Sequence, residues 1–270
     1  MAVRQKEWRN FARLWDNFEP PTRPSRYDIA VFRKYLDQKI KQKGKNTKVL
    51  ILGSTPELRS IVSQRKITAY VVDYHKENYR SLTRLKEHKG KEILIQQDWR
   101  DLKLKDKFDL VFAEASLNML RKDEVGKVIK KVNDALEKDG LFVNKTWILL
   151  EKKLTMEGIM KLYRSKYNHK RFKFALPLHY YSIACRNRKQ AAPVKEEYRR
   201  MKRLYEKGIL TKREFESFCN LGYEDSELEV HLPKKKGFEN TAKKHMKIKK
   251  VIYPKPIGPN KIPIYVLGKK

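Results

Sequence analysis

Cysteine, glycine and acidic residues are scarce in this sequence. It has two cysteines in 270 residues, Cys185 and Cys219. They lie far apart without metal-ligand spacing, which argues against a disulfide framework and fits a reducing compartment. No metal is expected. No run of roughly 18 apolar residues exists, so no membrane span is expected. The charged stretch Met1–Asn10 lacks the apolar core of a secretory signal, and a cytoplasmic location is expected. Glycine occurs 11 times, never as G-x-G-x-x-G, so a pyrophosphate cradle is not expected.

Acid is outnumbered two to one. Asp plus Glu is 32 against 64 Lys plus Arg, a formal net charge of +32. Such a field concentrates polyanions and speeds their association. A heat-adapted surface tends to enrich Glu along with Lys, which is not the case here. Nucleic acid, RNA first, is therefore the leading macromolecular partner, and anionic lipid the second. The hydrophobic fraction of 40% still supports a packed core.

Four regions follow from the pattern. Residues 1–45 carry an aromatic lead-in with Trp8, Phe11, Trp15 and Phe18 near helical spacing, then a proline-rich break at 19–24. A helix over Tyr27–Gln42 follows, with Ile29, Phe32, Leu36 and Ile40 on one face, ended by Gly44. The lead-in reads as a helix packed on the core, or as a lid hinged near Arg23 and Arg26. From 46 to 186, apolar runs at Lys48–Leu52, Ile67–Val72, Ile93–Gln96, Phe108–Ala113 and Leu141–Leu150 alternate with helical patterns at Pro56–Gln64, Lys76–His88 and Glu124–Lys138. A further helix is expected over Met156–Tyr167. Continuous apolar strands between amphipathic helices predict a doubly wound, Rossmann-like α/β fold with a mostly parallel seven-stranded sheet.

Residues 187–245 read as a basic helical insertion, with Val194–Lys207 and a second helix headed by Thr211, whose box partner is Glu214. Residues 246–270 supply strands Ile248–Tyr253 and Ile262–Leu267, an antiparallel pair that completes the sheet.

The chemistry gathers at strand ends. In KVLILGSTPELRSIV, a glycine separates a strand from a helix. Gly53 allows backbone angles closed to other residues. Ser54 or Thr55 is placed to cap the helix, with Pro56 in its first turn. Glu57 lies at the positive helix end. The second strand ends at Asp73, where a carboxylate suits both hydroxyls of a ribose. The third ends near Asp98 and Trp99, an acceptor for an adenine amino group beside a stacking wall. The fourth ends at Glu114-Ala115-Ser116. Open α/β sheets bind ligands at this carboxyl edge, so the four endings describe a nucleoside site.

LGSTPELR, DWRDL and FDLVFAEASLNML together resemble one branch of the class I S-adenosylmethionine-dependent methyltransferases, over Lys48 to Leu150. The resemblance implies that S-adenosylmethionine is the cofactor. Gly53, Ser54 and Thr55 would then line its methionine portion, Asp73 its ribose with Tyr74 beside the adenine, and Asp98 and Trp99 its adenine. Glu114, Ala115 and Ser116 would face its reactive side. Relatives often carry Gly-Asp-Gly where this chain has Ala113-Glu114-Ala115. The Asn/Asp-Pro-Pro-Tyr motif of amino-directed nucleic-acid methylation is absent. Neither cysteine sits at the fourth strand's end, which argues against a covalent cysteine route.

Glu114 is the candidate base toward a hydroxyl or amine acceptor. His179, before Tyr180-Tyr181, is a lesser candidate. Arg199, Lys202 and Arg203, interleaved with Tyr198 and Tyr205, and Lys234, Lys235 and Lys236 are the candidate nucleic-acid contacts. The expected function is methyl transfer to RNA, transfer or ribosomal. The rival readings are methylation of a small molecule or protein, and a non-catalytic basic nucleic-acid binder on a degenerate fold.

Overall fold

The computed structural model describes residues 12–18, 20–149, 155, 158, 160, 161, 164, 191–254 and 262–270. Trp8, Phe11, His179 with its neighbouring tyrosines, Cys185 and most of the expected helix over 156–167 lie outside the described residues.

Apolar runs become strands wherever both faces are covered. β1 (Val49–Leu52) buries all four residues. It pairs in parallel with β2 (Ala69–Val72) on one side and β4 (Phe108–Glu114) on the other. β3 (Glu92–Ile95) extends the parallel set beyond β2, and β5 (Leu136–Lys145) extends it beyond β4. β9 (Ile264–Lys269) returns antiparallel between β5 and β8 (Met246–Ile252). The order β3-β2-β1-β4-β5-β9-β8 is the doubly wound sheet expected, with its antiparallel C-terminal strand. Chain order reverses between β1 and β4, which opens a crevice at their carboxyl ends.

Strand periodicity of two sends alternate side chains to opposite faces. Val49, Ile51, Leu110, Phe112 and Val143 pack under α1 (Arg26–Lys43) and α2 (Pro56–Gln64). Leu50, Leu52, Val111, Ala113 and Phe142 face α4 (Lys122–Ala135) and α7 (Lys235–His245). α3 (Lys76–Thr83) links β2 to β3. A third apolar core joins Phe18, Trp147 and Leu149 to a small antiparallel pair, β6 (Ala191–Pro193) and β7 (Glu229–His231), and to α5 (Val194–Glu206). The next helix, α6 (Lys212–Cys219), packs Phe215 against that core.

Four expectations need correction. The helix after β2 stops at Thr83 rather than His88. The helix expected over Glu124–Lys138 starts two residues earlier and ends at Ala135. β5 then begins at once and finishes at Lys145, not Leu150. Its bend at Gly140 brings the backbone so close that an added Cβ would stand 2.9 Å from the Phe108 carbonyl. Finally, α7 covers residues where only the basic triplet Lys234–Lys236 stood out, and β8 starts at Met246, two residues before the expected Ile248. α7 buries only Phe238 and Ala242, an apolar stripe too sparse to stand out among lysines.

Candidate functional site

The loop after β1 is held from both sides. Gly53 has φ +90°, a region that side chains rarely enter. An added Cβ would meet Ser116 Oγ and the Trp99 ring at 3.5 Å, an ordinary contact. The backbone angle, not lack of space, is therefore what requires glycine. Gly53 N donates to the Val72 carbonyl at 2.8 Å, and Trp99 Nε1 donates to the same oxygen at 3.0 Å. Ser116 Oγ donates to the Leu52 carbonyl at 2.7 Å. The ends of β1, β2, β3 and β4 thus meet around one glycine.

Neither hydroxyl caps the following helix. Thr55 is the N-cap residue but makes no side-chain cap bond, and Ser54 Oγ donates to Asp73 instead. Asp73 is buried and also accepts from His75 N at 2.9 Å and Asn78 Nδ2 at 3.0 Å. Burial pushes its carboxyl above the usual range, while these three donors oppose the shift. A carboxylate offers about four acceptor positions, so these donors leave room for about one more. Tyr74 is exposed, its ring edge-on to His75. Asp98 turns toward Arg100, accepting from its N and Nε at 2.9 Å, and Arg100 Nη1 reaches Glu124 at 2.9 Å. Asp98 is thereby tied to its own turn, and Trp99 stands closest to the glycine.

The tip of β4 is buried. Ala115 adopts φ +54°, a left-handed angle costing an alanine about 1–2 kcal/mol. A glycine would adopt this angle without that cost. Glu114 lies against Lys145, its register partner on β5, at 3.0 Å. Lys145 Nζ also donates to Asp28 Oδ2 at 3.0 Å. Asp28 is the capping-box residue of α1, and the same oxygen accepts from Ser25 N at 2.7 Å. Burial raises Glu114 to about 7; Lys145 opposes the shift, and the charges of Asp28 and Glu57 add to it. Burial alone would lower Lys145, but Glu114 and Asp28 more than offset it and keep the ammonium charged.

Sequence reasoning missed Lys145 and Asp28. The available signals were a lysine inside the apolar run LFVNKTW and the capping-box spacing Ser25…Asp28. Neither signal says that the two residues meet across 117 positions.

Glu57 ties the N-terminal segment to the loop. Its Oε1 accepts from Trp15 Nε1 at 3.2 Å and from Arg23 Nη2 at 2.6 Å, while Oε2 is buried without a hydrogen-bond partner. Behind the loop, fully buried Arg59 donates to the Ser54 carbonyl at 3.4 Å and pairs with Glu92 at 2.6 Å. Lys86 joins the same carboxylate.

The predicted polyanion contacts fall on two elements. Arg199, Lys202 and Arg203 are exposed on α5; Lys234 and Lys236 are exposed at the start of α7, where Lys235 is half-buried. The interleaved aromatics also pack within the protein. Tyr205 stacks on Phe215 at 4.9 Å, and Tyr198 lies 6.0 Å from that ring. They help to close the α5–α6 hairpin, and Tyr205 stays exposed. The expected box at Thr211 is formed: Thr211 N donates to Glu214 at 2.8 Å and Glu214 N to Thr211 Oγ1 at 3.3 Å. Asn118, fully buried, donates to the Trp147 and His231 carbonyls at 2.9 and 2.7 Å, joining the 3-10 turn after β4 to β7. Among the described residues, no group of His, Cys, Asp and Glu could hold a metal ion, and no helix is long and apolar enough to cross a membrane.

A methyltransferase-domain family model matches residues 53–144. No curated protein matches the chain in sequence. Among solved structures, an S-adenosylmethionine-dependent methyltransferase from Clostridium acetobutylicum is 13% identical, with a TM-score of 0.51 over 90% of this chain and 92% of that one. The magnesium protoporphyrin IX methyltransferase of Synechocystis, with bound S-adenosylhomocysteine, is 8% identical, with a TM-score of 0.50 over 90% and 84%. A Rhodobacter sphaeroides protein described as a Zn-dependent alcohol dehydrogenase is 12% identical, with a TM-score of 0.56 over 97% and 98%. Likeness of fold at such identities does not separate methyl transfer from hydride transfer. The match that begins at Gly53 and ends on β5 favours methyl transfer: residues 53–144 are similar to a methyltransferase domain.

Proposed function

We propose that this enzyme transfers a methyl group from S-adenosylmethionine to a small, partly apolar acceptor enclosed between the β4–β5 tips and the 191–232 cap. The donor fits the residues present. Gly53 lets a ligand approach the main chain, Asp73 keeps one acceptor position for a ribose hydroxyl, and the orphaned Glu57 Oε2 suits an ammonium. Gly53, Ser54, Thr55, Ala115 and Ser116 would hold the methionine end. Asp73 and Tyr74 would hold the ribose, with Trp99 against the adenine and Asp98 shaping that wall through Arg100. When bound, S-adenosylmethionine supplies an electrophilic methyl group. The chain's own part is to align the acceptor, which accounts for much of the acceleration in such transfers. It also takes up the acceptor's proton, a role we assign to Glu114 because an acid near neutrality suits it.

The observation that carries the enclosed acceptor is the third core. Ala115 and Met119, next to the β4 tip, pack with Trp15, Phe18 and Trp147 against cap residues Val194, Met201, Tyr223 and Val230. An apolar cluster beside the β4 tip suits a small, partly apolar acceptor better than a polynucleotide. The magnesium protoporphyrin enzyme, of like fold, acts on a small molecule. The charge of +32 favours a second reading, RNA as acceptor, with Arg199, Lys202, Arg203 and Lys234–Lys236 on the backbone.

Calorimetry with S-adenosylmethionine, with Asp73→Ala as control, tests the donor site. Radiolabelled methyl transfer to metabolite, RNA and protein fractions tests the acceptor. Label in the metabolite fraction supports the main reading. Label in RNA, with binding that weakens steeply in salt, replaces it with the second.

A further inference from the structure

The buried groups at the β4 tip do not balance. Facing Glu114 are Lys145 from β5, Asp28 from α1 and Glu57 from α2, and Glu57 is paired with Arg23 from the segment before α1. Three carboxylates therefore share two cations. Lys145 is almost wholly enclosed and already bonded to both Asp28 and Glu114. An uncompensated carboxylate in such a place either takes a proton or waits for a cation. Because β1 and β4 are register neighbours, with Leu52 opposite Ala113, Glu114 comes alongside Gly53 at the mouth of the proposed donor site.

We propose that Lys145 is a positioning residue. By holding Asp28 and Glu114 on one buried ammonium, it keeps a surplus carboxylate at the β4 tip, and a cationic donor that enters there is bound with release of a proton from Glu114. The proposal rests on reading this site as the S-adenosylmethionine site. In the step, the O–H bond of the Glu114 carboxyl breaks, the electron pair stays on its oxygen and the proton passes to buffer. The donor's positive charge then supplies the missing counter-charge. Linkage requires the reverse as well: donor affinity rises as Glu114 ionises. Lys145 is also tied to the start of α1, because the oxygen it holds on Asp28 closes that helix's capping box.

The test is titration calorimetry of the full chain at pH 6, 7 and 8 in buffers of different ionisation enthalpy, which counts protons exchanged on binding. The ligands are S-adenosylmethionine, S-adenosylhomocysteine, which lacks the sulfonium charge, and methylthioadenosine, which carries neither that charge nor an ammonium. With the Glu114 carboxyl raised to about 7, the wild type should release about half a proton per site at pH 7 and bind S-adenosylmethionine about five-fold tighter there than at pH 6. Methylthioadenosine should release none. S-adenosylhomocysteine shows which cation counts: release equal to that of S-adenosylmethionine assigns it to the ammonium, and loss of release assigns it to the sulfonium.

Glu114→Gln should abolish the release and flatten affinity between pH 6 and 7. The ligand's own amino group is common to both proteins, so the difference belongs to Glu114. Lys145→Met should bind more weakly and push release at pH 7 toward a whole proton. Lys145→Arg, which keeps the cation, should restore the wild-type count. Tight binding without proton exchange, or release unchanged in Glu114→Gln, overturns this proposal and leaves the donor site standing. Absence of binding by all three ligands overturns the donor-site reading and this proposal together.

Discussion

Two buried ion clusters flank the loop after β1, and they are built with opposite balance. Behind the loop, Arg59 and Lys86 converge on one carboxylate, Glu92. In front, one ammonium, Lys145, serves Asp28 and Glu114. The consequences differ in sign. Burial raises Glu92, but the two cations more than offset it and hold the acid below its usual range. Burial also raises Glu114, neighbouring acids add to it, and one cation does not restore it, so it stands at about 7. A surplus of cation locks an acid in its charged form and makes a strut. A surplus of acid leaves a group that changes state in the physiological range, a property more often found at functional than structural positions.

Removing the strut's centre is the most severe way to break the contrast. Arg59→Met leaves Glu92 short of a buried partner, and unfolding in denaturant should show a loss of about 3–5 kcal/mol. The corresponding removal of Glu114 should not, because it relieves a surplus.

The two clusters should also answer pH in opposite windows. Glu92 has a lowered folded value, so its contribution is present above 4.5, the value of the free acid, and fades as pH falls through the folded value. Glu114 has a raised one. Its stabilising state is the protonated one, present below 4.5 and lost as pH rises through about 7. Of the two clusters, Glu114 is the one that titrates between pH 5 and 8, and its contribution should decline by about 2–3 kcal/mol over that range. Melting Glu114→Gln across that range should give a flatter profile than the wild type. Parallel profiles would remove the distinction between the clusters.

Gly53→Ala sharpens the comparison from the loop that both clusters brace. A strained left-handed residue should cost about 1–2 kcal/mol, and calorimetry should show donor binding lost with Arg59 and Lys145 untouched. Arg23→Ala gives the smallest effect. Its pair with Glu57 is partly exposed, and thermal unfolding should register about 1 kcal/mol or less.

Much of this was legible in the chain. Apolar runs ending in Gly53, Asp73, Trp99 and Glu114 announced parallel strands, because a strand buried on both faces leaves no room for polar alternation. The order of those endings announced a shared edge. The Ser25…Asp28 spacing was there to read, as was the odd lysine in LFVNKTW, but each is a local signal and their meeting is not. α7 was hidden because a helix covering one corner of a sheet needs only Phe238 and Ala242 on its buried face. Tyr198 and Tyr205 looked like stacking platforms because aromatics between basic residues suit both a base and a neighbouring helix. Phe215 supplies the neighbouring-helix partner.

The sequence by itself therefore determined the sheet, its winding and the residue at each strand tip, since all three follow from periodicity and from short-range backbone preference. Only the tertiary structure decided which charges share a cavity. Ion pairing between Asp28 and Lys145, or Arg59 and Glu92, depends on distances set by helix and strand packing, and no pattern along the chain records them. The balance of charge around Glu114 is a sum over separate elements, and it exists only once they have come together.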